Sequence, residues 1–357
     1  MKKTTIALAA AFAGVGSLLA ISAAEAQTTV RVGWCARTIS SAAAPYAIAT
    51  KLGWYDKLGV KVELVPLPGS GDCAKFVATG ETLLALPSVE PVAVMRSQGA
   101  KLKTFYTAYQ GNIYGVAVPV DSPIKTTADL KGKKIGVIGM ASASAIIVRA
   151  LAKEEGLDPD KDISVVVAGE AGQTAALVRN GSVDALSQFD TQYALVENAG
   201  VKLRRLKHPS IDKFPSNGFI ALEDTLTNKR KEAVAVAQGY AMGTLFALNN
   251  PEAAIRILWE MWPQTKSTSK DEATALAHDI STLNARAVSW RLESVGAKKW
   301  GENLVENYQA YLDWLLANGT IKEKASAKEV VDNALIDDIN KFDSAAVIKA
   351  AKEWKAK

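Results

Sequence analysis

Histidine and cysteine are scarce in this sequence. Among 357 residues there are two of each, His208, His278, Cys35 and Cys73. A zinc site gathers three or four such ligands, so this inventory argues against one. The two histidines read as surface or packing residues. The phosphate-cradling pattern GxxxxGKS or GxxxxGKT is absent and the glycines do not fit GxGxxG, which removes the usual nucleotide loops. Past Ile21 no apolar run approaches the ~20 residues a helix needs to cross a bilayer. Neither sign of charge dominates, with 42 lysines and arginines against 37 aspartates and glutamates. No basic stripe marks a nucleic-acid surface. Nothing in the composition asks for a metal, a cofactor or a nucleic acid.

What is present begins with an address. Lys2 and Lys3 precede an apolar run from Ile6 to Ile21, and Ala24-Glu25-Ala26 offers the small residues an exporting peptidase accepts. Residues 1–26 are therefore expected to be a signal peptide cleaved after Ala26, placing the chain in the periplasm. No cysteine follows the cleavage point, so no lipid anchor is expected. Loss of Lys2, Lys3 and Glu25 lowers the formal charge from +5 to +4. In an oxidising compartment the even cysteine count allows one disulfide, Cys35–Cys73. Such a link would stabilise the fold by about 3–4 kcal/mol in the chain-entropy model. The alternative is a reactive thiol at Cys35, although no histidine lies near it in sequence.

The stretch LKGKKIGVIGMASASAIIVRALAKEEGLDP, Leu130 to Pro159, reads as strand, small-residue loop and helix. Ser142 or Ser144 can cap the helix, and Gly156 and Pro159 end it. The small residues from Gly139 to Ser144 let backbone N–H groups and two hydroxyls approach a polar or anionic ligand at the positive helix end. The other possibility is that both serines are caps and nothing more. Similar units lie upstream. Val30 to Trp34 is a strand followed by a helix from Ser41 to Leu52. Val60 to Pro66 leads into a helix from Cys73 to Thr79, and Leu83 to Leu86 leads into a helix beginning near Ser88. Downstream, strands at Ile163 to Ala168, Val183 to Ser187 and Val201 to Leu206 alternate with helices at Ala171 to Arg179 and Thr191 to Asn198. This alternation predicts an α/β fold with largely parallel sheets.

Two segments interrupt the rhythm. Phe105 to Val120 is longer than an ordinary strand, which suits a segment leaving one lobe and entering another. Asn217 to Ala221 reads as the crossing back. The expected division is 27–115 for the first part of lobe 1, 116–215 for lobe 2, and 216–357 for the remainder of lobe 1. From Asn228 onward the chain is expected to be helical, with Trp259, Trp262, Trp290, Trp300 and Trp314 as packing residues. A faint repeat links AKFVATGETLLALPS with AALVRNGSVDALSQF, each placing a glycine, Gly80 or Gly181, between a helix and a short strand. Asn180 and Asn318 open glycosylation sequons but read more simply as turns or caps.

Ligands of open α/β sheets bind beyond the carboxyl ends of the strands. The segments there are Trp34-Cys35, Gly69 to Asp72, Ser88 to Glu90, Ala141 to Ser144, Glu170 to Gln173, and Gln188-Phe189-Asp190. Facing lobes would bring them together in a cleft. The candidate ligand-binding residues are thus Trp34, Cys35, Ser70, Asp72, Ser88, Glu90, Ser142, Ser144, Glu170, Gln188, Phe189 and Asp190. Tyr109, Asn112 and Asn217 join them from the crossings.

From Val30 to Thr227 the order of segments resembles the solute-binding proteins of bacterial ABC importers for alkanesulfonates, taurine, nitrate and thiamine precursors. VRVGW, AIATKLGWYDKLGVKVELVPLPGSGD, SPIKTTADLKGKKIGVIGMASAS, EEGLDPDKDISVVV and VRNGSVDALSQFDTQYA carry the resemblance. It implies a two-lobed periplasmic-binding-protein type II fold, usually a monomer, that closes on a small-molecule solute and delivers it to a membrane permease. Phe189 and Asp190 match an aromatic and an aspartate common in that family. Leu83 stands where an acidic residue is usual, as Asp184 does in the second lobe. Sulfonate binders would place an anion at Ser142 and Ser144. Yet Asp72, Glu90, Glu170 and Asp190 all fall in the candidate loops, with Arg37 the one obvious cation nearby. Carboxylates around an anion repel it, which favours an aminopyrimidine-like or zwitterionic ligand over a bare sulfonate. Glu90 and Glu170, at predicted helix starts, could instead serve the helix dipole. Two other roles share the resemblance. One is an enzyme making a thiamine pyrimidine, which would need a histidine and a cysteine-rich iron site in arrangements this chain lacks. The other is an extracytoplasmic ligand sensor.

Overall fold

The computed structural model describes residues 27–356, and the expected signal peptide lies outside them. Ten strands form two five-stranded sheets. The first sheet holds β1 (Thr28–Trp34), β2 (Val60–Pro66), β3 (Leu84–Ala85) and β4 (Leu102–Thr107). The second holds β5 (Tyr114–Pro119), β6 (Lys134–Val137), β7 (Ser164–Val167), β8 (Ala185–Phe189) and β9 (Leu203–Arg205). The chain then returns to the first sheet as β10 (Gly218–Leu222). The strand orders are β2-β1-β3-β10-β4 and β7-β6-β8-β5-β9. In each sheet the first three strands of the α/β set run parallel, and the strand that crosses between sheets inserts antiparallel. The two lobes thus share one topology, and the fold is the two-lobed α/β arrangement read from the sequence.

The faint repeat has a structural basis. Gly80 follows the helix Ser70–Ala78 at φ +77, and Gly181 follows the helix Ala171–Arg179 at φ +71. Each occupies the left-handed region that glycine enters without steric penalty and leads into the third strand of its sheet. The residues at the Leu83 and Asp184 positions make the same backbone bond, to Arg31 O and Lys134 O respectively. Asp184 adds a second one, accepting from Lys134 N at 2.7 Å.

The run from Phe105 to Val120, read as one long segment, is two strands in different sheets. The break at 108–113 comes from a partner remote in sequence. Gln110 N and Gly111 N both donate to Ser289 O. Asn112 brackets the backbone of Tyr114, accepting from its N and donating to its O at 3.0 Å each. These contacts take the backbone groups out of any ladder, and the chain turns from one sheet to the other.

The C-terminal helices cover the first sheet. Helix Arg230–Asn249 lies against Ala44–Lys51, and the two backbones approach so closely that a Cβ on Gly243 would stand 2.1 Å from Pro45 O. Tyr46, Tyr106, Phe219 and Tyr240 interlock beneath them, with Tyr46 and Tyr240 ring centroids 4.9 Å apart. Such edge-to-face arrangements suit the aromatic quadrupole. Trp290 and Trp259 are buried in this core, while Trp262, Trp300 and Trp314 are half-buried against it. A smaller core of Ala117, Val183, Leu186, Tyr193 and Val196 supports the second sheet. Helix Glu272–Trp290 reaches both lobes: Asn198 Nδ2 of the second lobe donates to His278 O at 3.0 Å and Thr282 Oγ1 at 3.2 Å. Asn180 and Asn318 act locally, Asn180 Oδ1 accepting from Ser182 N and Asn318 Nδ2 donating to Trp314 O. Among the described residues no helix is long and apolar enough to cross a membrane.

Candidate functional site

β1 ends in Trp34, and the next residue, Cys35, is disulfide-bonded to Cys73 on helix Ser70–Ala78, with Cα atoms 5.7 Å apart. This link holds the segment after β1 against the first lobe. Trp34 Nε1 donates to Thr38 O at 2.8 Å, which fixes the indole and leaves its apolar body for the cleft. From the crossing come Tyr109, Ile113 and Tyr114, and from the second lobe Phe189, Thr191 and Gln192. Asn217, on the return crossing, holds Tyr114. Its Oδ1 accepts from Tyr114 Oη at 3.2 Å and Ser216 Oγ at 3.1 Å, and its Nδ2 donates to Leu86 O at 2.9 Å. Together with Ser40, Leu86 and Arg286 these residues line one cleft, mostly apolar with a few polar groups, the make-up usual for small-molecule sites.

Arg286 is the one charged residue lining this cleft among the described residues. Its side chain is 3% exposed. Nε donates to Asp190 Oδ2 at 2.9 Å and Nη2 to Asp190 Oδ1 at 2.6 Å, a forked pair that matches guanidinium to carboxylate. The guanidinium carbon lies 3.9 Å from the Tyr109 ring centroid and 5.9 Å from that of Phe189. Burial works against the arginine's charge, but Asp190 with Tyr109 and Tyr240 together more than offset it, and the pKa rises above its ordinary value. The Tyr109 hydroxyl is also pushed up by burial, against the pull of Arg286.

The sequence-predicted residues divide by position. Trp34, Cys35, Tyr109, Phe189 and Asn217 line the cleft. Asp190 lies behind Arg286, bound to it. Gln188 lies deeper, donating to Gly169 O at 3.1 Å. Asn112 holds the backbone of Tyr114. Ser70, Ser88 and Glu90 form a buried polar cluster on the first lobe. Ser88 N donates to Ser70 Oγ at 3.2 Å, and Tyr311 Oη donates to Glu90 Oε1. Glu90 Oε2 and Ser88 Oγ have no partner among the described residues, and burial raises the pKa of Glu90. Asp72 stays in the first turn of its helix, outside the cleft.

Ser142, Ser144, Glu170 and Arg37 lie outside this cleft. Ser142 caps helix Ala143–Glu154, its Oγ accepting from Ser144 N at 3.3 Å, and both side chains are buried. The turn at Gly69–Gly71 of the other lobe packs against the start of this helix, with Gly71 N donating to Ala141 O at 3.0 Å. A Cβ on Gly69 would stand 2.6 Å from Ala141 O, so this approach requires glycine. Glu170 lies on the seam between lobes: its carboxylate accepts from Arg37 N at 3.2 Å and from Thr38 Oγ1. Arg37 contributes that backbone N–H, so the cation of the cleft is Arg286 instead. None of the four carboxylates lines the cleft.

Tyr114, Thr191, Gln192 and Arg286 escaped the sequence reading. Tyr114 lay in the β-prone crossing and Thr191-Gln192 directly after Phe189-Asp190, so position alone could have found them. For Arg286 the available signal is its spacing with Asp279, Leu283 and Trp290 on the buried face of one helix. An arginine on such a face needs an acidic partner.

Two lobes of one topology, joined by two crossings and closed over an aromatic cleft, make up the periplasmic-binding-protein fold. The chain belongs to the NMT1/THI5-like family, whose profile matches residues 40–254. It is 25% identical over 227 residues to the riboflavin-binding protein RibY of Chloroflexus aurantiacus, an alignment covering 62% of this chain and 64% of RibY. A solved structure from Bordetella bronchiseptica RB50 superposes with a TM-score of 0.69 at 18% identity, covering 88% of this chain and 97% of that one. The alkanesulfonate-binding protein SsuA of Xanthomonas axonopodis pv. citri, bound to MOPS, gives 0.62 at 18% identity, covering 85% and 98%. At these identities the two structures establish the fold.

Proposed function

We propose that the chain is the periplasmic solute-binding component of an ABC importer, capturing a small organic solute with a planar aromatic body and delivering it to a membrane permease. An aminopyrimidine or a flavin fits this description, and the similarity to RibY supports the second. In this reading residues 1–26 are the signal peptide and 27–115 with 216–357 form one lobe. Residues 116–215 form the other, and the protein works as a monomer without catalysing a reaction. The observation that carries it is the arrangement of Trp34, Tyr109, Tyr114 and Phe189 around one cleft, with rings supplied from both lobes. Aromatic faces reward a flat π-system by stacking and leave hydrogen bonds to set orientation. Trp34, Tyr109 and Phe189 are the stacking residues, Thr191 and Arg286 the polar ones, and Asn112, Asn217 and Asp190 hold these in place.

Closure around the solute is a hinge motion at 108–113 and 206–217, driven by contacts made only in the closed form. Thermal unfolding of residues 27–357 against riboflavin, aminopyrimidines, alkanesulfonates, aromatic carboxylates and amino acids tests the class. A bound solute at ~100 times its Kd stabilises the folded state by about 2.7 kcal/mol and raises the midpoint clearly. A rise with riboflavin or an aminopyrimidine is expected, and a rise with alkanesulfonates alone would contradict the reading.

A further inference from the structure

The charge of the ligand follows from the pair at the back of the cleft, given the planar-solute reading above. Nε and Nη2 of Arg286 are committed to Asp190. The Tyr109 ring covers one face of the guanidinium. The edge left over is Nη1, on a side chain that lines the cleft and donates from Nη1 to no protein group among the described residues. Thr191, on the same wall, has a buried Oγ1 that also lacks a partner among them. A buried hydroxyl left open in this way is costly unless a ligand completes it, and Nη1 is the edge of the guanidinium not taken by Asp190. The pair itself carries no net charge, one arginine against one aspartate. No other charged residue lines the cleft among the described residues. An anion would leave water for a site offering no net positive charge, and the desolvation would go unmatched.

We infer that Arg286 is the ligand-orienting donor, and that its neutralisation by Asp190 selects uncharged planar ligands carrying a carbonyl or ring-nitrogen acceptor. The acceptor takes Nη1, Thr191 Oγ1 completes a second polar contact, and Tyr109 holds the guanidinium in position. Asp190 acts through Arg286 as a positioning residue.

Isothermal titration with riboflavin and cytosine as neutral probes, and orotate and benzenesulfonate as anionic planar probes, tests this. The wild-type chain is expected to prefer its better neutral probe over both anions by at least about tenfold. Arg286→Gln is expected to weaken that probe about tenfold, and Asp190→Asn to shift the preference toward the anions by a similar factor. Should either variant fail to fold, the wild type alone decides. Its affinity for the neutral probe should stay within about twofold from ~0.05 M to ~0.5 M NaCl, whereas recognition of a net charge weakens with salt. Anions binding the wild type as tightly as neutral probes, or a steep salt dependence, would overturn the assignment while leaving the planar-solute reading intact. If none of the four probes binds, the planar-solute reading falls and the assignment falls with it.

Discussion

Glu90 is buried beside Tyr311, with one carboxyl oxygen bonded and the other open. Burial favours its neutral form, so its folded pKa lies above the value of the unfolded chain. A raised carboxyl pKa contributes stability that is fully present below the unfolded value, near 4.5, and is lost as pH rises through the folded one. The rise from acid to neutral pH therefore costs stability at this position. Glu90→Gln is expected to raise the thermal midpoint at pH 7.5 and to leave it unchanged near pH 4, as read by circular dichroism melts. An unchanged midpoint at both values would show that the carboxyl is not held in an unfavourable state. At this scale position along the strands is what the sequence makes legible. Trp34 and Phe189 sit at strand ends and reach the cleft. A remote partner leaves no such signal: Asp190 is a strand-end carboxylate, and Arg286, ninety-six residues later, makes it half of an ion pair. Ser142 was legible as a cap, whereas the approach of Gly69 from the other lobe to Ala141 was not.

Among the elements, helix Arg230–Asn249 packs tightly against helix Ala44–Lys51 and the Tyr55 ring that follows it. Gly239 meets the Tyr55 ring and Gly243 meets Pro45 O, one turn apart on the same face. Gly243→Val is expected to push these helices apart and lower stability by about 1–3 kcal/mol or more, measured by urea unfolding. A loss below ~0.5 kcal/mol would mean that the contact relaxes freely. Most strands and helices were readable because strand-length apolar runs, caps and glycine stops alternate from Val30 to Leu206. The break between β4 and β5 was not. Its cause is the Ser289 carbonyl, which captures Gln110 and Gly111 from a helix nearly two hundred residues away. Local pattern records propensity, and a remote acceptor leaves no mark in it.

At the scale of the molecule, two sheets of one topology close over a cleft whose seam is stitched at Gly71–Ala141, at Glu170–Thr38 and at Asp190–Arg286. The lobed architecture was legible because each lobe repeats the same units. The closed seam was not, because which loops touch depends on the angle between lobes. The central claim is that a planar solute binds between the lobes against Trp34. Isothermal titration of residues 27–357 with riboflavin, beside the Trp34→Ala variant, tests it most directly. Stacking on a buried indole contributes about 0.5–1.5 kcal/mol beyond area burial. The variant should therefore bind about tenfold more weakly, or worse, while keeping its native circular dichroism. Riboflavin binding that is indifferent to Trp34, or no binding by the wild-type chain, would contradict the account.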